Sequence, residues 1–405
     1  MTEYTRDISL LFSTRIIRLF AYGFISVVLA LYLAATGLDA RGVGMVLAVT
    51  LAGDIFVSLW VTMIADRTGR KNMLILSALL MILAGLVFLF TTNPIWITLA
   101  AIVGIVSPSG NEIGPFLSIE QAALSQLTAD HQRTRIFGWY NLAGSFATAL
   151  GALCGGWLAQ FLQSSGWNAL EAYRSIMAGY AVCGFFLIAL FTFLSTAAEV
   201  NAVHTKASPQ TGSWLGLHRS KEIVFKLSAL FAVDAFAGGF ILQSMIAWWF
   251  HLRFGVDEGL LGSLFFFANL LAGISALLAT RIAQKIGLLR TMVYTHIPSN
   301  LLLCLVPLMP DLWLAMTVLL LRFSISQMDV PARQSYTMAV VDPDERSAAS
   351  GITTVARSVG AAVSPMLGGL LMAQPLLFSA PFFLAGGLKI IYDLILFKMF
   401  KNIEE

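Results

Sequence analysis

The sequence predicts an all-α integral membrane protein with twelve transmembrane helices in two pseudosymmetric six-helix bundles. Three observations support this fold class: an unusually apolar composition, twelve apolar runs of membrane-spanning length, and a repeat that relates the two halves. Of the 405 residues, 58% are hydrophobic and 12% are charged, and the mean hydropathy is +0.81. Soluble domains carry about 25% charged residues. The composition therefore excludes a soluble enzyme, a disordered chain and a disulfide scaffold.

Twelve apolar segments, each bounded by polar residues, are candidate spans. A bilayer core ~30 Å thick requires about 20 apolar residues per helix. The segments cover 9–35, 43–65, 72–91, 95–128, 136–162 and 172–196 in the first half, and 223–251, 258–281, 290–309, 312–340, 346–373 and 376–399 in the second. We expect a first bundle over 1–196, a cytoplasmic linker over 197–222 and a second bundle over 223–405.

The distribution of basic residues predicts the orientation. The first apolar run is too long for a cleavable signal peptide and lacks a small-residue cleavage site, so we expect it to remain as a span. Sixteen basic residues then fall on the side of the termini and the linker, and only Arg41, Arg174 and Arg253 fall on the other side. Cytoplasmic loops carry such an excess. We therefore expect a multi-pass protein of a cell membrane (inner or plasma), with both termini cytoplasmic.

An internal repeat links the fifth and eleventh spans. The small residues Gly138, Ala147, Gly151, Ala152, Gly155 and Gly156 recur 213 positions later as Gly351, Gly360, Ser364, Pro365, Gly368 and Gly369. Small residues allow membrane helices to approach closely. We expect close helix packing at Gly151, Gly155, Gly156, Gly360, Pro365, Gly368 and Gly369. Glycine-rich helices are common in membranes, but six matched positions favour a true repeat.

The loop after the second span contains Asp66, Arg67, Gly69 and Arg70, and resembles the signature loop of the major facilitator superfamily. The glycines of span five resemble the antiporter motif of the same superfamily, with Ala152 where the motif has proline. The resemblance implies two bundles that rock about a central cavity lined by spans one, four, seven and ten. It also implies that Asp66, Arg67, Gly69 and Arg70 form a cytoplasmic gate, although a solvated basic turn is the alternative. The arginine that many drug–proton antiporters carry in span four is replaced here by Val106.

Ionisable residues inside the spans are the candidate functional groups. Each costs about 2.5–3.5 kcal/mol on insertion scales, which invites a functional hypothesis. We expect the coupling proton on Glu112, near the midplane, with Asp329, Asp234 and Asp54 as rivals. Glu112 lies among two glycines and two prolines in segment 107–115, which predicts a loosened helix with unpaired carbonyls. A kink that serves packing alone is the alternative.

Further polar residues on the same spans are predicted to line the substrate cavity. They are Arg18, Asn111, Glu120, Gln243, Arg322, Arg333 and Arg357. Span ten carries Arg322, Ser326, Asp329, Arg333 and Tyr336 on one face, a stripe that should avoid lipid. A permanent structural network of ion pairs is the alternative. Arg15 and Arg18 could attract an anion or pair with Glu120, and the spacing of Lys389 and Asp393 favours a structural pair.

The absence of several enzyme motifs from the sequence also bears on the functional class. The sequence contains no phosphate-binding G-x-x-x-x-G-K-[ST] loop, no H-E-x-x-H and no G-x-S-x-G, and its three cysteines lie in apolar runs. We expect no enzyme activity, no cofactor, no metal and no nucleic-acid partner. The predicted function is proton-coupled export of a small organic solute by alternating access, by a monomer whose partners are the solute, protons and lipid. Uptake or exchange of an organic anion is the alternative.

Overall fold

The computed structural model describes residues 3–112, 114–128, 130–199, 217–342 and 344–402, without the side chains of 3, 4, 66, 130–134 and 347. Its regular elements are helices: α1 Glu3–Ser26, α2 Leu29–Ala35, α3 Ala40–Thr68, α4 Arg70–Phe90, α5 Pro94–Val103, α6 Phe116–Leu127, α7 Asp130–Ser164, α8 Ala169–Thr192, α9 Lys221–Gly239, α10 Gln243–Phe254, α11 Glu258–Ile286, α12 Leu288–Leu305, α13 Leu312–Phe323, α14 Asp329–Ala339, α15 Arg346–Met372 and α16 Ala380–Phe400. The all-α prediction is confirmed.

The helices account for the twelve predicted spans. Within the described residues, ten helical segments are long and apolar enough to cross a membrane, and the apolar helices α5 and α13 are shorter. α5 and α13 are too short to cross a membrane alone because spans four and ten are interrupted. α6 completes span four, and α14 completes span ten. Large apolar side chains such as Phe56 and Phe90 are 74% and 78% exposed. Such exposure suits a surface in contact with lipid, where the hydrophobic effect imposes no penalty.

Within the described residues, spans one, four, seven and ten are each discontinuous. They are built from the helix pairs α1 and α2, α5 and α6, α9 and α10, and α13 and α14. α6 begins at Phe116 and α14 begins at Asp329, which are separated by the same 213 residues as the glycine repeat. Irregular backbone at membrane depth is tolerated only against protein or water. Discontinuous helices are typical of transporter binding sites.

The chain forms two compact units. The first comprises Met1–Ala207 and Gln243–Phe266, and the second comprises Ser208–Leu242 and Phe267–Glu405. Within the first unit, α10 and the start of α11 pack with helices of the first half, where Trp157 Nε1 donates to Ser263 Oγ at 3.0 Å. The bundle and linker boundaries expected from the sequence stay a prediction.

In each unit, two helices cross closely at a glycine, and the two crossings are at equivalent positions of the repeat. A Cβ on Gly23 of α1 would lie 2.1 Å from the carbonyl oxygen of Thr148 on α7. A Cβ on Gly239 of α9 would lie 2.6 Å from the carbonyl oxygen of Ala361 on α15. Thr148 and Ala361 are related by 213 residues, and Gly23 and Gly239 by 216. The crossing therefore aligns α1 with α9 at an offset of 216.

The predicted packing residues lie at close helix contacts or in buried positions. A Cβ on Gly151, Gly155 or Gly360 would lie 2.0–2.2 Å from a backbone oxygen of the neighbouring helix. The oxygens belong to Phe20, Phe24 and Ala232 respectively. Gly156 faces Gly262 within the first unit. Pro365, Gly368 and Gly369 are buried.

Gly151→Ala should lower the free energy of unfolding by about 1–3 kcal/mol, because the new methyl group overlaps backbone that cannot rotate away. Gly138→Ala is the matched control on the same helix, since nothing lies within 4 Å of the place that its new methyl group would take. Thermal unfolding in detergent compares the two variants. Equal melting temperatures would contradict the close crossing of α1 and α7.

Candidate functional site

The first unit contains a buried network of two arginines and two glutamates. Arg18 of α1 donates from Nη1 and Nη2 to the two carboxylate oxygens of Glu120, both at 2.7 Å. Its Nε donates to Glu112 at 2.8 Å, and Arg15 Nη1 donates to the other Glu112 oxygen at 2.7 Å. The two positive and two negative charges cancel. The network joins α1 to the interruption of span four, through Glu112, and to α6, through Glu120.

Neutral groups complete the first network. Thr14 Oγ1 donates to Glu120 at 2.8 Å, and the Tyr140 hydroxyl donates to the other oxygen of the same carboxylate. Arg15 donates to Asn141 at 3.1 Å and lies 4.2 Å from the centroid of the Tyr140 ring. Arg18 and Glu120 are fully buried, whereas the Glu112 side chain is 11% exposed. Of the four charged members, Glu112 is therefore the most exposed.

Glu112 lies in the irregular segment that interrupts span four, as the sequence predicted. The segment contains three residues with positive φ, Ile105 (51°), Gly110 (70°) and Gly114 (83°). Two of its carbonyl groups accept hydrogen bonds from other helices: Tyr180 donates to Ile105 at 2.8 Å, and Thr148 donates to Gly110 at 3.3 Å. These side chains replace hydrogen bonds that the backbone would make in a continuous helix.

Asp54 supports the same segment from span two. Its carboxylate accepts a hydrogen bond from the Gly114 amide and one from Ser58 Oγ at 3.2 Å. Among the described residues, no Lys, Arg or His nitrogen lies within 4.0 Å of this carboxylate. Asp54 therefore differs from Glu112 and Glu120, whose partners are arginines.

The second unit contains a larger network centred on Asp234 of α9. One carboxylate oxygen accepts from Arg333 at 3.1 Å and from Arg357 at 2.8 Å, and the other accepts from Lys389 at 2.5 Å. Arg333 also donates to Asp329 at 2.9 Å. Asp329 and Arg333, four residues apart on α14, are therefore an ion pair along the helix. Three cations therefore converge on one buried carboxylate.

His296 of α12 joins this network, and the sequence analysis missed it. Its Nδ1 lies 2.9 Å from Asp393 Oδ1, and its Nε2 lies 3.9 Å from Asp234 Oδ1. Lys389 and Asp393 were expected to pair with each other, but Lys389 binds Asp234 and Asp393 binds His296. No local sequence pattern predicts a role for His296, because its partners lie on spans seven and twelve. The role becomes visible only in the folded structure, where both spans pack against α12.

The two networks are related by the repeat, with the signs of the charges exchanged. Arg18 and Asp234 are equivalent at the offset of 216 that the glycine crossing defines. Glu120 and Arg333 are equivalent at the offset of 213. In the first unit α1 carries the cation and span four carries the anion, whereas in the second α9 carries the anion and span ten carries the cation. The position of the pair is shared, and its polarity is inverted.

The other predicted cavity residues differ in their partners. Arg322 is 9% exposed, its Nε has no hydrogen-bond partner in the described part of the chain, and its guanidinium lies 4.9 Å from the Phe323 ring centroid. All five residues of the span-ten stripe are buried, as predicted for a face that avoids lipid. Gln243 donates to Ser26 Oγ at 2.7 Å within the first unit. Asn111 is exposed.

The predicted gate residues lie at the junction of α3 and α4. The Asp66 side chain lies outside the described residues, and Arg67 is exposed. Gly69 has φ +95°, and the amides of Arg70 and Lys71 donate to Glu199 at 2.7 and 3.1 Å. The segment after span six is thus fixed to the start of α4. The gating role stays a prediction.

A second carboxylate fixes the chain before span seven. Glu345 accepts from the amides of His218, Arg219 and Ser220, the last two at 2.8 Å. Burial by itself raises the pKa of Glu345, but hydrogen bonds from the Ser220 side chain and these amides lower it to about 2. Its contribution to stability is complete above the ordinary carboxyl pKa and is lost only as the pH falls toward 2. The contact therefore persists at physiological pH.

Comparison with known proteins identifies the family. The model of the Major Facilitator Superfamily matches residues 11–365 and 234–404. The chain belongs to the major facilitator superfamily. It is 30% identical over 427 residues to the "Uncharacterized membrane protein YJR124C" of Saccharomyces cerevisiae, covering 99% of this chain and 95% of that protein. Members of the superfamily are membrane carriers and not enzymes, so this chain is a carrier.

Solved structures of superfamily members share the fold. The nucleoside transporter NupG superposes with a TM-score of 0.73 at 14% identity, covering 99% of this chain and all of that one. A D-xylose-proton symporter gives 0.74 at 14%, covering 96% and 97%. The human organic anion transporter MFSD10 gives 0.65 at 13%, covering 98% and 100%. At these identities the likeness shows the fold alone.

Asp234→Asn should destabilise this superfamily member more than Asp329→Asn does. Removing the Asp234 charge leaves Arg333, Arg357 and Lys389 short of a counter-charge, whereas Arg333 keeps Asp234 when Asp329 is neutralised. Breaking a buried pair costs about 3–5 kcal/mol. Thermal unfolding of both variants in detergent provides the comparison, and a larger loss for Asp329→Asn would contradict the centring of the network on Asp234.

Proposed function

We propose that this carrier is a secondary active transporter that exports a small organic solute by alternating access, coupled to protons. The observation that supports the proposal is the buried ion-pair network in each unit, built on the discontinuous spans. In transporters, such spans surround the substrate and the coupling ion. The glycine pattern of span five supports export, because it resembles the antiporter motif.

Buried ion pairs suit proton coupling for an energetic reason. Neutralising one partner leaves the other uncompensated, at a cost of about 3–5 kcal/mol. Shifting a two-state equilibrium from 1:99 to 99:1 requires about 5.5 kcal/mol. Protonation of one carboxylate in such a network can therefore supply most of the free energy needed to shift the equilibrium between two conformations. A proton bound at an exposed carboxylate supplies far less, because solvent screens the charge.

Glu112 is the group that we propose to carry the proton. It is the most exposed charged member of the first network, at 11%, and it lies on the irregular segment of span four. Protonation would release Arg15 and Arg18, which hold its two oxygens at 2.7 and 2.8 Å. Asp54, Asp234 and Asp329 remain the alternatives. Asp54 has only hydrogen-bond donors as partners in the described residues, so its protonation would release no cation.

An organic anion, taken up or exchanged, is the second candidate solute. Arg322 is a buried guanidinium whose Nε lacks a partner in the described residues, and the Arg357 side chain is 31% exposed although it contacts Asp234. Guanidinium groups bind carboxylates and phosphates well because their donors match those anions in geometry. Among the related structures, MFSD10 is described as an organic anion transporter, NupG as a nucleoside transporter and a third as a xylose–proton symporter.

We place the protein in a cell membrane as a monomer, with both termini in the cytoplasm. The excess of basic residues on that side supports this orientation. In the same orientation Asp66, Arg67, Gly69 and Arg70 lie at the cytoplasmic face, where we propose that they gate the cavity. The backbone anchors of Arg70 and Lys71 on Glu199 support a rigid base for this gate.

Glu112→Gln tests the proposal in proteoliposomes. A thermal-shift screen of the purified protein first identifies a solute, because a ligand of the native state raises apparent stability. Glu112→Gln mimics the protonated acid, so the variant should still bind this solute and exchange it without a gradient. It should lose accumulation driven by a pH gradient.

The control is Glu171→Gln, an exposed glutamate at the start of α8, which should respond to the gradient as the wild type does. Full accumulation by Glu112→Gln would show that another group carries the proton. A wild-type protein that ignores the pH gradient would overturn proton coupling itself.

A further inference from the structure

The network of the second unit contains one histidine, His296, among carboxylates, arginines and a lysine. We define the Asp234 cluster as the seven side chains linked by contacts within 4.0 Å: Asp234, His296, Asp329, Arg333, Arg357, Lys389 and Asp393. Histidine is the side chain whose ordinary pKa lies between about 5 and 8. Proton exchange at His296 would therefore change the charge of the cluster under physiological conditions.

The other six members balance each other. Asp234, Asp329 and Asp393 supply three negative charges, and Arg333, Arg357 and Lys389 supply three positive charges. Arg322 lies nearby and interacts with Asp329 at longer range, without an ion pair within 4.0 Å in the described residues. Tyr392 and Tyr336 are neutral neighbours, and the Tyr392 ring centroid lies 6.1 Å from that of His296. A proton on His296 therefore adds a charge that no member of the cluster cancels.

The position of His296 accommodates this proton. The side chain is 5% exposed and lies between two carboxylates, with Asp393 at Nδ1 and Asp234 at Nε2. A neutral imidazole has one N–H donor, whereas the imidazolium has two. Because a carboxylate can only accept, the contact with Asp393 assigns the proton of the neutral ring to Nδ1. Protonation adds a second donor at Nε2, directed at Asp234 Oδ1 only 3.9 Å away.

The second donor would compete for an oxygen that is already occupied. Lys389 Nζ lies 2.5 Å from Asp234 Oδ1, while Arg357 and Arg333 share Oδ2. A fourth cation at the Asp234 carboxylate weakens the ion pair that each of the other three cations makes with it. Arg357 is the member free to respond, because its side chain is 31% exposed and the other three cations are 6–10% exposed.

We propose that His296 is a second proton-binding site and that its protonation recruits an anionic solute to Arg357. The inference rests on the proposed function and adds a solute class and a site in the second unit. The proton at His296 and a monoanion at Arg357 would bind together, because the positive charge of one neutralises the negative charge of the other. By linkage, the anion must strengthen proton binding by the same factor as the proton strengthens anion binding.

Histidine NMR tests the proton site without knowledge of the solute. The chain has five histidines, so ¹⁵N-histidine labelling of the full-length protein in nanodiscs gives a simple spectrum, and His296→Gln assigns the signal. We expect His296 to change protonation state between about pH 5 and about pH 9, with the proton of the neutral form on Nδ1. Asp393→Asn should move the midpoint of this titration and also assigns the signal if His296→Gln does not fold.

The matched control is His251→Gln, since the His251 Nδ1 lies 2.8 Å from the Val256 carbonyl oxygen and no carboxylate contacts the ring within the described residues. This variant should leave the His296 midpoint unchanged. A His296 signal that keeps one protonation state over the whole range would overturn the site. An unchanged midpoint in Asp393→Asn would overturn it as well.

Benzoate and its neutral isostere benzamide test the recruitment of an anion. Benzoate should raise the midpoint of His296, benzamide should leave it unchanged, and Arg357→Gln should remove the benzoate effect. Equal effects of the two probes, or no effect of benzoate, would overturn the link to anions. Because this titration needs no gradient, a positive result beside absent gradient-driven transport would reject the proposed function and retain the proton site.

Discussion

Ion pairs between buried arginines and carboxylates are the interaction on which the structure of both units depends. Arg18 is fully buried and uses three of its nitrogens to bind Glu120 and Glu112. Arg333 is held between Asp234 and Asp329. Removing a partner costs several kcal/mol, so each pair fixes the helices that carry it. The attraction is the same whichever helix carries the positive charge. The repeat can therefore keep the position of the pair while exchanging its signs.

The networks are attached to the irregular parts of the spans. Glu112 lies in the interruption of span four, and Asp329 is the first residue of α14 after the interruption of span ten. The interruption of span four lacks part of the helical hydrogen bonding and relies on side chains such as Tyr180 and Asp54. In the interruption of span ten, the Gln327 amide donates to Ser275 Oγ at 3.3 Å. A change of charge in a network therefore acts on backbone that has few other restraints. This link gives a physical route from protonation to a conformational change.

The sequence predicted the fold well because its signals are local. Apolar runs predict the spans, and the two prolines and two glycines of 107–115 predict the interruption of span four. The matching interruption at 324–328 has the sequence Ser-Ile-Ser-Gln-Met, which contains neither proline nor glycine. Only the repeat offset could have predicted it. The partners of buried charges were harder to predict, because they depend on which helices are neighbours.

Lys389 and His296 illustrate this limit. Lys389 is four residues from Asp393, and that spacing favours an ion pair on an isolated helix. In the folded unit Asp234 of α9 lies closer, so Lys389 binds there and Asp393 binds His296 instead. His296 has no acidic residue near it in sequence, and it lies among neutral polar residues such as Thr295 and Ser299. Its environment is created entirely by tertiary packing.

Hydrogen exchange of the wild-type protein in nanodiscs tests the central claim, that charge in the networks controls the interrupted spans. Peptides would be compared at about pH 5.5 and about pH 8, after correction for the intrinsic effect of pH on exchange. We expect protection to change in peptides covering 104–115 and 324–328, while the continuous helices α4 and α8 keep theirs. Equal protection of the interruptions at both pH values would contradict it.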